Sequence, residues 1–159
     1  MKKYKLAIYI ILLILASYNF SFAFDIKITD GDTITLKGEK IRFFGIDAPE
    51  MKQMCEKNGE KIFCGKLSKI ELGKKIGNKK VKCEKKGVDN YKRTLAECFV
   101  EGESLSKYMV RNGYAFAFVR YSKIYIEDEK YAKNNKLGFW TTKFEYPWEW
   151  RKKIREANK

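Results

Sequence analysis

From position 26 to 46 the chain sets apolar residues against polar ones in short runs: Ile26 and Ile28, then Thr33, Ile34, Thr35 and Leu36, then Ile41, Phe43, Phe44 and Ile46. β-Branched and aromatic residues broken by glycine predict strands, with Lys37-Gly38 as the turn of a hairpin. Over 61–78 the period lengthens, with Ile62, Phe63, Leu67, Ile70 and Ile76 separated by lysines, which predicts an amphipathic helix stopped at Gly77-Asn78. Residues 81–86 and 94–100 return to strand character around a polar loop at 87–93. A hairpin centred between Asn90 and Tyr91 places Cys83 opposite Cys98, in the same register as Lys86 opposite Leu95. A second helix is predicted over 104–112, capped by Ser104 and stopped at Gly113, and a third over 124–137, stopped at Gly138. Residues 139–159 read as a polar and aromatic tail whose Trp140, Trp148 and Trp150 pack on the domain. The whole predicts an α+β, mainly β architecture: a small barrel with helices packed around it.

The two ends of the chain differ in kind. Lys2, Lys3 and Lys5, the apolar run 6–16 and small residues at Ser21 and Ala23 have the form of an export signal, residues 1–23, leaving a single domain over 24–159. The competing expectation is an uncleaved membrane tether, because Tyr18, Phe20, Phe22 and Phe24 extend the apolar run toward the roughly 20 residues that a span needs. A cleaved signal implies a secreted or periplasmic protein. The net charge of +14 becomes +11 once the three signal lysines are removed, and such a field attracts polyanions, nucleic acid before membrane surfaces or cell-wall polymers. An OB-like barrel is a common small β design that meets polyanions. The four cysteines follow the signal, and an even count in an exported chain implies two disulfides. Register favours Cys83–Cys98, which leaves Cys55–Cys64 to close a short loop. With no histidine anywhere, imidazole general-base catalysis is excluded and a zinc site is disfavoured.

Against this basic background, the stretch 30–50, DGDTITLKGEKIRFFGIDAPE, concentrates acidic residues. Asp30, Asp32, Asp47 and Glu50 fall at strand ends, where folding gathers carboxylates that repel one another. A divalent cation offsets them, and oxygen-only donors select Ca²⁺ or Mg²⁺ over zinc. Arg42 offers a planar fork for a phosphate, and the turn at Lys37-Gly38 folds it back toward Asp32. Arg42 and Asp47 are five residues apart, so a regular strand points them to opposite faces unless Gly45 bends the chain. Asp-Gly-Asp and Asp-Ala-Pro-Glu are also ordinary turn and strand-exit sequences.

The residues Asp30-Gly31-Asp32-Thr33, Arg42 with Asp47-Ala48-Pro49-Glu50, Asp89-Asn90-Tyr91-Lys92-Arg93, and the segments Met109-Val110-Arg111-Asn112-Gly113-Tyr114-Ala115 and Gly138-Phe139-Trp140 occur in one order. In that order the chain resembles the staphylococcal nuclease-like (thermonuclease) domain family. The resemblance implies a five-stranded OB-fold barrel with about three packed helices, and cleavage of DNA and/or RNA phosphodiesters with Ca²⁺, low sequence specificity and 3′-phosphate products. It implies metal coordination by Asp32, Asp47 and the backbone carbonyl of Ala48, where the best-known members have threonine. Glu50 would orient or deprotonate the attacking water, Arg42 and Arg93 would bind phosphate, and Tyr91 and Tyr121 would line the nucleotide pocket. Val119 stands near the place of a further tyrosine, and residues 51–65 replace a mobile loop. Asp30 is expected to support the site from behind, and Glu39 to be a solvated turn residue. The readings from other classes are a non-catalytic OB-fold nucleic-acid-binding module and a cell-surface adhesive protein. The default assembly is a monomer.

Overall fold

The computed structural model describes residues 25–159, so the expected export signal, residues 1–23, lies outside the described residues. β1 (Ile26–Ile28), β2 (Thr33–Leu36) and β3 (Glu39–Phe43) form an antiparallel meander whose β2–β3 turn is Lys37-Gly38. A bend at Phe44-Gly45 leads into the two-residue β4 (Ile46–Asp47). β5 (Met54–Lys57) and β6 (Glu60–Phe63) then pair as a separate hairpin, and α1 (Cys64–Ile76) follows directly. β7 (Val81–Val88), β8 (Thr94–Val100) and β9 (Glu103–Ser104) precede α2 (Leu105–Arg111). β10 (Phe116–Ala117) returns to pair with β4, and α3 (Ile126–Asn134), a 3₁₀ turn (Gly138–Thr141) and α4 (Pro147–Ala157) complete the chain.

The main sheet runs β1-β2-β3-β8-β7, with β9 beside β8 and a single parallel contact, β3 on β8. Its hydrogen-bonded path is open at β1 and β7 rather than closed on itself. Ile34, Ile41, Phe43 and Val100 from this sheet meet Leu72 and Ile76 of α1 and Leu105 and Met109 of α2 in the main core. A second cluster forms around Phe116 and Phe139, with Trp140, Phe144, Tyr146 and Trp148 packed on it.

Three local expectations are corrected. The helix expected from 61 begins at Cys64, because Asn58 (φ 53°) and Gly59 (φ 85°) form a two-residue turn that draws residues 60–63 into a strand. In the β7–β8 hairpin Cys83 does face Cys98, but Leu95 faces Gly87, since the register shifts between Lys85 and Gly87 and Lys86 is the extra residue of a bulge. The described residues form four α-helices, not about three: the presumed tail carries α4, with Pro147 at its start. Ser104 caps α2 as expected, its side chain accepting from the Lys107 N–H. Both disulfides are present, Cys55–Cys64 with Cα atoms 5.8 Å apart and Cys83–Cys98 at 4.0 Å.

Gly113 and Gly138 explain two of the sequence motifs physically. The Phe139 N–H donates to the Gly113 carbonyl at 2.9 Å. A Cβ on Gly113 would lie 2.3 Å from the Leu137 oxygen, and one on Gly138 would lie 2.4 Å from the Gly113 oxygen. Only glycine at both positions permits this approach, which seats the 3₁₀ turn and Phe139 against β10.

Candidate active site

The bend after β3 makes the site. Gly45 adopts φ +77° inside the domain, where a Cβ would lie 3.1 Å from the Tyr125 ring, and its carbonyl accepts from the Phe118 N–H at 2.9 Å. This turn reverses the parity of the strand, so Arg42 and Asp47 point to one side despite their spacing. The β4–β10 pairing, Asp47 opposite Phe116, then fixes the Asp47 backbone. Asp32 lies just before β2, whose Thr33 pairs with Arg42, so the hairpin places it beside the same guanidinium.

The result is a compact ion cluster. Arg42 Nη1 donates to Asp32 Oδ1 and Arg42 Nη2 to Asp47 Oδ1, both at 2.6 Å. Asp32 Oδ2 accepts from the Ala48 N–H at 2.7 Å, and Asp32 Oδ1 also accepts from the Thr33 hydroxyl at 3.0 Å. Asp32 and Asp47 are 1% and 0% exposed, which makes them the two most deeply placed charges of the site. Desolvation raises the Asp47 pKa above the usual carboxylate range, although Arg151 and Arg42 oppose it. The Arg42 guanidinium is held charged more firmly than usual: Asp32 and Asp47 outweigh its own desolvation.

Asp30 stands behind these groups, its Oδ1 accepting from the Asp32 N–H at 3.1 Å. Burial, and then the Asp32 charge, push its carboxyl to about 7. A carboxyl that binds its proton more tightly when folded favours the fold at low pH, and that contribution is lost as pH rises from the ordinary value near 3.8 through about 7. In EDTA the melting temperature is therefore expected to fall over this window, and Asp30→Asn should flatten the profile. An unchanged profile in the variant would assign the dependence to another group.

Glu50 sits at the rim. The turn after it is fixed by buried Gln53, whose side-chain oxygen accepts from the Glu50 N–H at 3.2 Å and whose amide donates to the Glu145 carbonyl at 2.6 Å. The Glu50 carboxylate accepts from Arg151 Nη1 at 2.8 Å. Arg151, on α4, also reaches Asp47, Nη2 to Oδ2 at 2.6 Å and Nη1 to Oδ1 at 3.1 Å. Sequence reasoning had no place for Gln53 or Arg151. Pro147 after an extended Tyr146 is a helix-start signal that could have revealed α4, but nothing local links Arg151 to a carboxylate 104 residues earlier.

The structure thus brings Asp30, Asp32, Arg42, Asp47, Ala48 and Glu50 together. It leaves Arg93 outside that ion cluster, in the loop between β7 and β8. There Arg93 Nε donates to Asp89 Oδ2 at 2.6 Å, and Asp89 Oδ1 accepts from the Tyr91 and Arg93 N–H groups, both at 2.9 Å. Tyr91 is 82% exposed, with the Arg93 guanidinium 5.5 Å from its ring. Tyr121 is also exposed and touches Phe118, whose ring stacks on Trp148 of α4. Buried oxygen donors of two carboxylates, with no nitrogen or sulfur among them, suit a hard divalent cation in chemical type. Asp32, Asp47 and the Ala48 carbonyl are the residues of this chain that would hold it.

Residues 40–142 match the family described as Staphylococcal nuclease homologue. The chain belongs to that family. Arg42, Asp47, Ala48, Glu50 and Arg93 lie within the matched segment of this staphylococcal nuclease homologue, whereas Asp32 precedes it and Arg151 follows it. Among its relatives, an uncharacterized endonuclease of Haemophilus influenzae is 34% identical over 122 residues, covering 72% of this chain and 64% of that protein. The succinoglycan biosynthesis protein ExoI of Rhizobium meliloti is 31% identical over 124 residues, covering 76% and 65%. The staphylococcal-like nuclease CAN1 of Arabidopsis thaliana is 30% identical over 130 residues, covering 80% and 38%. The chain spans less than two thirds of the length of each of these relatives.

Proposed function

We propose that this domain is a metal-dependent nuclease that hydrolyses DNA and/or RNA phosphodiester bonds with low sequence specificity, releases the 5′ oxygen and leaves 3′-phosphate ends. The observation that carries the proposal is the pair of buried carboxylates, Asp32 and Asp47, bridged by Arg42 with Glu50 at their rim. Membership of the family and the names of the endonuclease and nuclease relatives support it. On the same reading the open path β1-β2-β3-β8-β7 is the partly open barrel of an OB-type domain.

Ca²⁺ is the proposed ion, and when bound it supplies positive charge to the non-bridging phosphate oxygens. Arg42 adds a fixed guanidinium beside them, and Arg93 reaches the phosphate from the β7–β8 loop, where it stabilises the departing 5′ oxygen by hydrogen bonding. Glu50 orients the attacking water and accepts its proton. The exposed rings of Tyr91 and Tyr121 offer stacking surfaces to flanking bases, which suits substrates of any sequence. Export, whether by a cleaved signal or with a retained tether, belongs to this proposal, and paired cysteines fit an oxidising compartment.

The test is incubation of the mature protein with single-stranded DNA and with RNA, in Ca²⁺ or in EDTA. Fragments that carry 3′-phosphates and form only with metal are expected. A shifted but intact nucleic-acid band in Ca²⁺ would instead indicate the non-catalytic binding module.

A further inference from the structure

Arg151 touches two carboxylates of the acidic site and has no part in the proposed reaction. Both of its terminal nitrogens face carboxylates: Nη2 to Asp47 Oδ2 at 2.6 Å, and Nη1 to Asp47 Oδ1 at 3.1 Å and Glu50 Oε1 at 2.8 Å. A carboxylate has about four acceptor positions. Arg42 takes one of those on Asp47 and Arg151 takes two. Any cation that reaches Asp47 must therefore share its oxygens with a like charge at contact distance, which costs more in this desolvated site than in water.

The two arginines are not equally able to yield. Arg42 is set in the main sheet, and its side chain is 16% exposed, while that of Arg151 is 28% exposed. The helix that carries Arg151 is docked by other means. Tyr146 stacks on Trp148 at 4.5 Å, Trp148 stacks on Phe118 at 5.5 Å, and Gln53 holds the Glu145 carbonyl. Arg151 can leave Asp47 with α4 in place, and because Nη1 is shared it can leave one carboxylate and keep the other.

We infer that Arg151 is a tethered cation that occupies Asp47 in place of the metal ion, competes with it, and gives up Asp47 when the ion binds. The C-terminal helix is thereby part of the active site, and it sets the metal concentration at which the enzyme works. This rests on the reading of Asp47 as a metal ligand.

The test compares the full mature chain with Arg151→Gln, which keeps the stem and the helix but removes the charge. Calorimetric titration with Ca²⁺ alone is expected to show tighter binding in the variant, by about tenfold, an ordinary size for coupling between two occupants of one site. In EDTA the variant should melt below the wild type, and saturating Ca²⁺ should narrow that gap, because the tighter binder gains more from the ligand. Arg151→Lys, with a charge but no fork, should fall between the two and serves if the glutamine variant does not fold. Ca²⁺ binding by the variant but not by the wild type would be the strongest form of the expected result. Equal or weaker binding in the variant, with the wild type binding normally, overturns the inference alone. If neither protein binds Ca²⁺, the metal-ligand reading falls with it.

Discussion

Arg42→Ala is expected to lower nucleic-acid cleavage by about two to three orders of magnitude, the usual cost of removing one preorganised donor to developing charge. The same substitution should destabilise the metal-free fold by about 3–5 kcal/mol, since it leaves two buried carboxylates without the group that bridges them. These losses have different causes and separate experimentally. On the proposed function, a divalent cation held by Asp32 and Asp47 would replace part of the missing positive charge, so Ca²⁺ should restore much of the stability. It would not replace the guanidinium that the proposed function assigns to the phosphate, so cleavage should stay low. Arg42→Lys should recover more stability than activity, because an ammonium restores positive charge beside the carboxylates but not the planar fork that suits a phosphate. Urea denaturation in EDTA and in Ca²⁺, together with single-turnover cleavage, distinguishes these outcomes. Wild-type rates in Arg42→Ala would remove Arg42 from the mechanism.

The second large effect lies in the aromatic cluster that backs β10. Phe116 is fully buried, with ring centroids 4.8 Å from Phe144, 5.0 Å from Tyr146, 5.8 Å from Trp140 and 6.4 Å from Phe139. Phe116→Ala should cost about 3–5 kcal/mol, through lost burial and the cavity left behind. That is a large fraction of the 5–15 kcal/mol typical of a whole domain. The damage should be directional. The cluster joins β10 to the segment that leads into α4, so the C-terminal segment should become sensitive to protease before the β2–β3–β8 sheet does. Phe116 also faces Asp47 across the β4–β10 pair, so the variant should lose cleavage even at temperatures where it remains folded. Uniform proteolysis along the chain would argue against this hierarchy. Phe116→Leu, which leaves a smaller void, should keep most of the stability.

The contrast between the two ends of the site shows what could be read in advance. Asp32, Arg42, Asp47 and Glu50 lie within nineteen consecutive residues. A hairpin turn and one glycine bend are enough to gather them, and both leave marks in the sequence. The Cys83–Cys98 pair was legible for the same reason: strand register converts a sum of positions into a contact. The bulge at Lys86 was not, because the extra residue follows from how the hairpin twists and closes rather than from residue type. Asn58-Gly59 was a strong hairpin signal masked by flanking lysines and glutamates, which imitate the polar face of a helix.

The sequence by itself determined the strands of the first meander, the Gly77 stop of α1, the pairing of the cysteines and the nearness of Asp32, Arg42, Asp47 and Glu50. These depend on local propensity, alternation and short spacings, which act between neighbours. Tertiary structure alone decided that the sheet remains open, that the aromatic tail becomes a helix, and that Arg151 closes over Asp47 and Glu50. Each of these depends on which surfaces meet after the chain has folded. An arginine on an exposed helix carries no mark of its partner until a stack of Tyr146, Trp148 and Phe118 brings it there.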